Sequence, residues 1–220
     1  MKKVAIVGGT AGLGRGLGVR LAAGGFEVLI GSRDSGRAST AASEIQAIAG
    51  GTVSGATNEE VLGQVAFAIV TVPYPALAST YKLVKERLPL DSTVLDCNVP
   101  LASEVGGKPT RMLGIWEGSA AQQAKSILGK GFYVASGFHT VMAGVLESLD
   151  SPVDQDVLVC GDLKAKDAVK EVVDCIQGSR FVDCGPLENA RILESLTALL
   201  IGINIRHHLE PGAGVRLTGL

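Results

Sequence analysis

The chain reads as an α/β protein built on a doubly wound, mainly parallel sheet, and three observations predict this. A β-branched run, Lys3 to Val7, leads straight into the turn Gly8-Gly9-Thr10-Ala11-Gly12-Leu13-Gly14. A helical pattern follows, with Leu13, Leu17 and Leu21 one turn apart. Further short apolar runs, bounded by turn residues, recur down the chain with helical stretches between them. Strand, glycine turn and helix open a dinucleotide-binding βαβ unit, and repetition of the unit builds a Rossmann-like sheet. The expected division is a nucleotide-binding domain over residues 1–150 and a small C-terminal α/β extension over 151–220, ending in a long helix.

The first turn is the most informative stretch. A tight turn without side chains lets backbone N–H groups approach a pyrophosphate, and the following helix points its positive end at it. Read as Gly-x-Gly-x-x-Gly from Gly9, the second glycine is replaced by Ala11. Read as Gly-x-x-x-Gly-x-Gly, the spacing is met by Gly8, Gly12 and Gly14. Gly14 and Gly18 lie one helical turn apart, which suits close packing of helix on strand.

The second strand is expected over Glu27 to Ile30, ending Gly31-Ser32-Arg33-Asp34-Ser35-Gly36-Arg37. Chains that bind NAD place Asp or Glu at this strand end to take the ribose 2′-hydroxyl. A small residue, a hydroxyl and a cation fit a 2′-phosphate instead, so NADP is the expected nucleotide. Ser39 to Ala49 reads as a helix and Thr52 to Ala56 as a short third strand. Val65 to Val72 reads as a buried strand ending in Pro73-Tyr74-Pro75, whose prolines stiffen a loop passing the nicotinamide-side ribose.

Tyr81 and Lys85 form Tyr-x-x-x-Lys, the catalytic pair of short-chain dehydrogenases. Leu77, Tyr81, Val84 and Leu88 nevertheless make one apolar stripe at helical spacing, and no serine stands at 67 to 69. Tyr81 is therefore read as core. Thr93 to Asp96 is the next strand, residues 102–118 a loop, Ser119 to Leu128 a helix capped by Ser119, and Gly131 to Ala135 the sixth strand. Strand Asp156 to Cys160, helix Lys164 to Gln177 and strand Arg180 to Asp183 follow. The last helix, Glu188 to Arg206, is apolar on nearly all sides. It is expected to be buried, with a homodimer interface as its place.

Composition narrows the function classes. The 220 residues are 46% hydrophobic and 19% charged, with net charge −2. That suits a sizeable core and gives no reason to expect nucleic acid or an anionic membrane as partner. The longest apolar run, Leu196 to Ile205, is short of the roughly 20 residues that span a bilayer. No signal-peptide pattern opens the chain, so a cytoplasmic protein is expected. Four cysteines without a Cys-x-x-Cys pair read as reduced thiols. With three histidines, two of them adjacent, no metal site is expected.

Several blocks together carry a resemblance. They are Val7 to Leu17, Gly31-Ser32-Arg33, Phe138-His139-Thr140, Val159-Cys160-Gly161-Asp162 and Gly185 to Thr197. With these the chain resembles the NADPH-dependent coenzyme F420 reductases (F420H2:NADP oxidoreductases) of archaea and actinobacteria. The resemblance implies that Thr10, Ala11, Gly12 and Leu13 hold the phosphates and that Ser32, Arg33 and Arg37 hold the 2′-phosphate. It implies that Val72, Tyr74, Val99, Leu101 and Ala143 line the ribose and nicotinamide, and that His139 and Val141 border the deazaflavin. The chain departs from the family at Ala11 for Gly, Gly12 for Asn, Ala190 for Ser and Arg37 for Lys. Cys97-Asn98 and a longer stretch between Pro100 and Ser119 are further departures.

Direct hydride transfer needs proximity, alignment and a dry pocket more than an acid or base. That agrees with the lack of a Ser/His/Asp set or usable Tyr/Lys pair. His139 is the one candidate polar group at a strand end, read as orienting or hydrogen-bonding, with a structural role as the alternative. Two further readings stay open. One is an NADPH-dependent reductase of a free flavin, quinone or chelated ferric ion. The other is a non-catalytic protein that senses NADP.

Overall fold

The computed structural model describes residues 2–220. Eight strands form one sheet: β1 Lys3–Val7, β2 Glu27–Ser32, β3 Thr52–Thr57, β4 Phe67–Val70, β5 Thr93–Asp96, β6 Tyr133–Gly137, β7 Asp156–Gly161 and β8 Arg180–Asp183. Their order is β3-β2-β1-β4-β5-β6-β7-β8. All pairs are parallel except β6 with β7. The strand order reverses between β1 and β4, which opens a crevice at the carboxyl ends of the strands. Strands β7 and β8 continue this same sheet.

Eight helices complete the fold: α1 Gly12–Ala23, α2 Ser35–Ala49, α3 Asn58–Leu62, α4 Leu77–Arg87, α5 Ala120–Leu128, α6 Ala143–Glu147, α7 Leu163–Asp174 and α8 Ala190–His207. The sheet is covered on both faces, so its central strands β1 and β4 are apolar along nearly their whole length. In β1, Val4 and Ile6 pack with Leu17, Leu21, Ile45 and Val169 on one face. Ala5 and Val7 pack with Leu62, Tyr81 and Ala124 on the other. No described helix is long and apolar enough to cross a membrane.

The departures from expectation have local causes. Helix α2 starts at Ser35 rather than Ser39, because the Asp34 carboxylate accepts the Arg37 N–H at 2.8 Å and caps it. Helix α3 was not expected; Thr57 and Glu60 form a capping box that starts it. Strand β4 is shorter than the apolar run containing it, and β6 lies two residues later than expected. Helix α6 was also unexpected. It is held from across the chain by Arg20, a buried residue of α1. Arg20 Nε donates to the Leu146 carbonyl at 3.1 Å, and Nη2 donates to those of Val145 and Ser151 at 2.9 Å each. Helix α8 is buried along one stripe only, through Leu193, Glu194 and Ala198. Ile192, Leu199 and Ile205 are more than half exposed (53%, 59% and 58%), so within one chain the apolar helix is not enclosed.

Asp156 anchors the far edge of the sheet. Its buried carboxylate accepts from Arg180 Nε at 2.9 Å and Nη2 at 2.7 Å, from Arg216 Nη1 at 3.0 Å and from the Leu217 N–H at 2.6 Å. The Arg180 bonds, above all, hold its carboxyl well below the usual carboxylate range, against the opposing effect of burial. A depressed folded value stabilises above the unfolded one, near pH 3.9, and the contribution disappears as pH falls toward the folded value. Asp156→Asn is expected to lower stability at neutral pH by about 1.5–3 kcal/mol. It should also flatten the fall in melting temperature between about pH 5 and about pH 2. Thermal melts across that range check this, and an unchanged acid slope would remove Asp156 as its source.

Candidate functional site

The turn after β1 brings three backbone segments together. Gly8 and Gly9 both donate their N–H to the Gly31 carbonyl, at 3.1 Å each, which ties the turn to the end of β2. A Cβ on Gly8 would lie 2.9 Å from Val72 Cγ1 and one on Gly9 2.9 Å from the Ile6 carbonyl oxygen. A Cβ on Gly14 would lie 2.4 Å from Thr71 Oγ1 and 2.9 Å from Gly9 Cα. These glycines set how closely α1 approaches the sheet, and the Gly8 and Gly9 donors are already taken. Gly12 has φ +52° with open space around it. Ala11 is extended, no side chain caps α1, and its first turn carries no acidic residue. Among the described residues, the N–H groups of Thr10, Ala11, Gly12 and Leu13 take no backbone partner. Such a helix end is a ready anion seat.

Beside it lies the end of β2. Ser32 is the last strand residue, and its hydroxyl accepts the Asp34 N–H at 3.2 Å. Arg33 and Arg37 are exposed and, among the described residues, make no ion pair. Asp34 is occupied in capping α2. Asn58, unremarked in the sequence, places its Oδ1 near Gly31, buried and without a partner.

A cleft of about 250 Å³ opens at the crevice. It brings together Leu13, Val72, Pro73, Tyr74, Val99 and Leu101, six of the residues singled out in the sequence. Thr71 also lines it and belongs to no motif, while Asn98, from the Cys97-Asn98 departure, and Thr197, from the end of the Gly185 to Thr197 block, line it without having been given a role. The other singled-out residues lie elsewhere. Val141 is buried in the core, and Ala143 begins α6, where its carbonyl faces Gly16 of α1.

His139 sits behind the cleft wall, 8% exposed. Its backbone carbonyl accepts the Thr197 hydroxyl at 2.8 Å and its Nε2 lies 3.2 Å from Ser136 Oγ. Burial lowers its imidazole to about 4, so it is neutral. Asp96 and Glu194 are its buried neighbours. The Tyr81 hydroxyl donates to Asp96 Oδ1 at 2.5 Å, and the Asn98 amide bonds the same oxygen. Glu194 accepts the Ala120 and Ala121 N–H groups at 3.0 and 3.1 Å, filling the N-terminus of α5. Burial raises both carboxyls, and for Glu194 the Asp96 charge adds to it. Tyr81 is fully buried in this network, 2.5 Å from a carboxylate, and Lys85 turns outward to the Ile127 carbonyl.

The close approach of α1 yields a prediction. Gly14→Ala drives a methyl into Thr71 and the Gly9 backbone, so it is expected to cost about 1–3 kcal/mol and to weaken nucleotide binding. Denaturant melts and calorimetric titration with NADPH check it; wild-type values in both would refute the packing account.

The comparisons with known proteins fall on this geometry. The model of the family described as "NADP oxidoreductase coenzyme F420-dependent" matches residues 3–100, from β1 to the loop after β5. The F420-dependent NADP reductase of Methanothermobacter thermautotrophicus is 41% identical over 223 residues, covering 99% of this chain and 95% of that one. The enzyme of the same name from Methanocaldococcus jannaschii is 41% identical over 224 residues, covering 99% of both. A candidate F420-dependent NADP-reductase from Arthrobacter sp. FB24 superposes with a TM-score of 0.82 at 20% identity over 99% of each chain. The 3-hydroxyisobutyrate dehydrogenase of Mycobacterium tuberculosis gives 0.59 at 15%, covering 94% of this chain and 60% of that one. The last two share the fold. With full-length relatives at 41% identity, the chain belongs to the F420-dependent NADP reductase family.

Proposed function

We propose that the protein is an NADP-dependent oxidoreductase that transfers a hydride between NADP(H) and the deazaflavin coenzyme F420. The observation that carries this is the carboxyl end of the sheet around β1, β2 and β4. It bears an uncapped helix end, a pair of exposed arginines without ion pairs and a cleft at the crevice between β1 and β4. The fit to a phosphorylated dinucleotide is structural. A Cβ on Gly14 has no room beneath the turn, and the N–H groups above it are free.

Residue roles follow from those positions. The N–H groups of Thr10, Ala11, Gly12 and Leu13 take the phosphates. The Ser32 hydroxyl and the Arg33 and Arg37 guanidiniums take the 2′-phosphate, with Asn58 beside the ribose. Val72, Pro73, Tyr74, Val99 and Leu101 wall the cleft and exclude water. Gly8 and Gly9 shape the turn. Ala143, assigned to the nicotinamide side, and Val141, assigned to the deazaflavin side, lie behind the cleft. His139 is a positioning residue, holding Thr197 through its carbonyl. The two bound coenzymes supply hydride donor and acceptor, so the protein contributes alignment and dryness rather than an acid or base.

A homodimer forms through α8 in this reading, because Ile192, Leu199 and Ile205 would otherwise stay in water. Leu199→Glu is expected to give a monomer by light scattering at micromolar concentration, where the wild type gives a dimer. A wild-type monomer would end this reading.

The cofactor assignment is checked by mixing NADPH with F420 and following deazaflavin absorbance, with NADH as the control. Arg33→Ser removes a charge-assisted contact of about 1.5–3 kcal/mol, so NADPH affinity should drop roughly 10–150-fold with NADH binding unchanged. Equal loss for both nucleotides would take Arg33 out of phosphate recognition.

A further inference from the structure

We propose that Asp96, His139 and Glu194 form a buried site for one divalent transition-metal cation, Mn²⁺ or Zn²⁺, behind the cleft wall. Its members are far apart in the chain and no spacing links them: Asp96 ends β5, His139 follows β6, and Glu194 lies in the second turn of α8. In the fold one ligand atom from each comes within 4.8 Å of the other two, and all three residues are buried.

Charge is the first reason. Two carboxylates lie together out of water, and among the described residues neither makes an ion pair with Lys or Arg. Their bonded partners are neutral: the Tyr81 hydroxyl and the Asn98 amide on Asp96, and two backbone N–H groups on Glu194. The N-terminus of α5 offsets part of the Glu194 charge, Asp96 has no such offset, and one divalent cation balances what remains of two carboxylates. The second reason is an orphan atom. Asp96 Oδ2 is buried with no hydrogen-bond partner, although Oδ1 of the same group has two. A carboxylate with one oxygen fixed and the other bare is oriented as a metal ligand is.

The surroundings fit as well. Tyr81 holds Asp96, the α5 backbone holds Glu194, and Ser136 holds the His139 ring. Outer partners of this kind orient ligands in metal sites. Two carboxylate oxygens and one imidazole nitrogen suit Mn²⁺ or Zn²⁺, whereas Ca²⁺ takes six or more oxygens. A cation there would fasten the exits of β5 and β6 to α8. Asn98 and Thr197, both lining the cleft, bond to Asp96 and to the His139 carbonyl respectively. The inference is independent of which nucleotide or acceptor the cleft takes.

The test uses the full chain, stripped by chelator and dialysed against Mn²⁺ or Zn²⁺. We expect one equivalent per chain by elemental analysis, a raised melting temperature, and imidazole nitrogen coupling in pulsed EPR of the Mn²⁺ form. Asp96→Asn and Glu194→Gln should lose the equivalent. Because those variants risk misfolding, Tyr81→Phe is the milder probe. It leaves all three ligands and should weaken Mn²⁺ binding about 10–100-fold. His207→Ala with His208→Ala, which removes an exposed histidine pair, should bind as the wild type does. Absence of stoichiometric binding, loss of it in the His207/His208 variant, no nitrogen coupling, or Mn²⁺ affinity unchanged in Tyr81→Phe would each overturn the site. So would an infrared band of a protonated carboxyl that survives saturating Mn²⁺, since a proton would then be the compensating charge.

Discussion

The structure depends on one close approach, that of the first turn and first helix to the sheet. The Gly31 carbonyl at the end of β2 takes two N–H groups from Gly8 and Gly9, and Gly14 sits against Gly9 and Thr71 with no space for a methyl. This fixes α1 over β1 and β4 at the point where the sheet reverses direction. It also decides which donors remain. The first two glycines are consumed in building the turn, and the following residues, from Thr10 to Leu13, are left to face a ligand. The glycines of the turn thus divide into those that build the seat and those that form it.

Much of the architecture was legible from local pattern. The central strands are covered on both faces, so Val4 to Val7 and Phe67 to Val70 are continuous apolar runs that announce themselves. Elements made by long-range contacts did not. Helix α6 has five residues and no cap of its own; its carbonyls are satisfied by Arg20, more than a hundred residues earlier. No window of sequence contains both partners. Helix α3 was missed for a different reason, since its capping box at Thr57 and Glu60 is plain but a single turn carries too little periodicity to register.

The site divides in the same way. The glycine turn, the Ser32-Arg33 pair and the Pro73-Tyr74 loop are contiguous in sequence, and all lie at the carboxyl end of the sheet. Asp34, which as a strand-end acid could have argued for a 2′-hydroxyl, turns out to cap α2. Thr71 and Asn98 reach the cleft because β4 and β5 end there, and Thr197 reaches it from within α8, which no local window shows. The Asp96, His139 and Glu194 cluster is invisible to spacing altogether. Its members look like an ordinary strand acid, a loop histidine and a helix glutamate until the sheet and α8 assemble around them.

The contact of α1 with α6 has a mechanical consequence. A Cβ on Gly16 would lie 2.7 Å from Leu146 Cβ and 3.0 Å from the Ala143 carbonyl oxygen, and Arg20 clamps the far end of α6. The seat assigned to the dinucleotide phosphates and the segment that opens with Ala143 are thus fastened to the same short rod, one at its tip and the other along its side. The spacing between those two places is then a dimension of the scaffold, set by glycine-close packing and one buried guanidinium rather than by a loop.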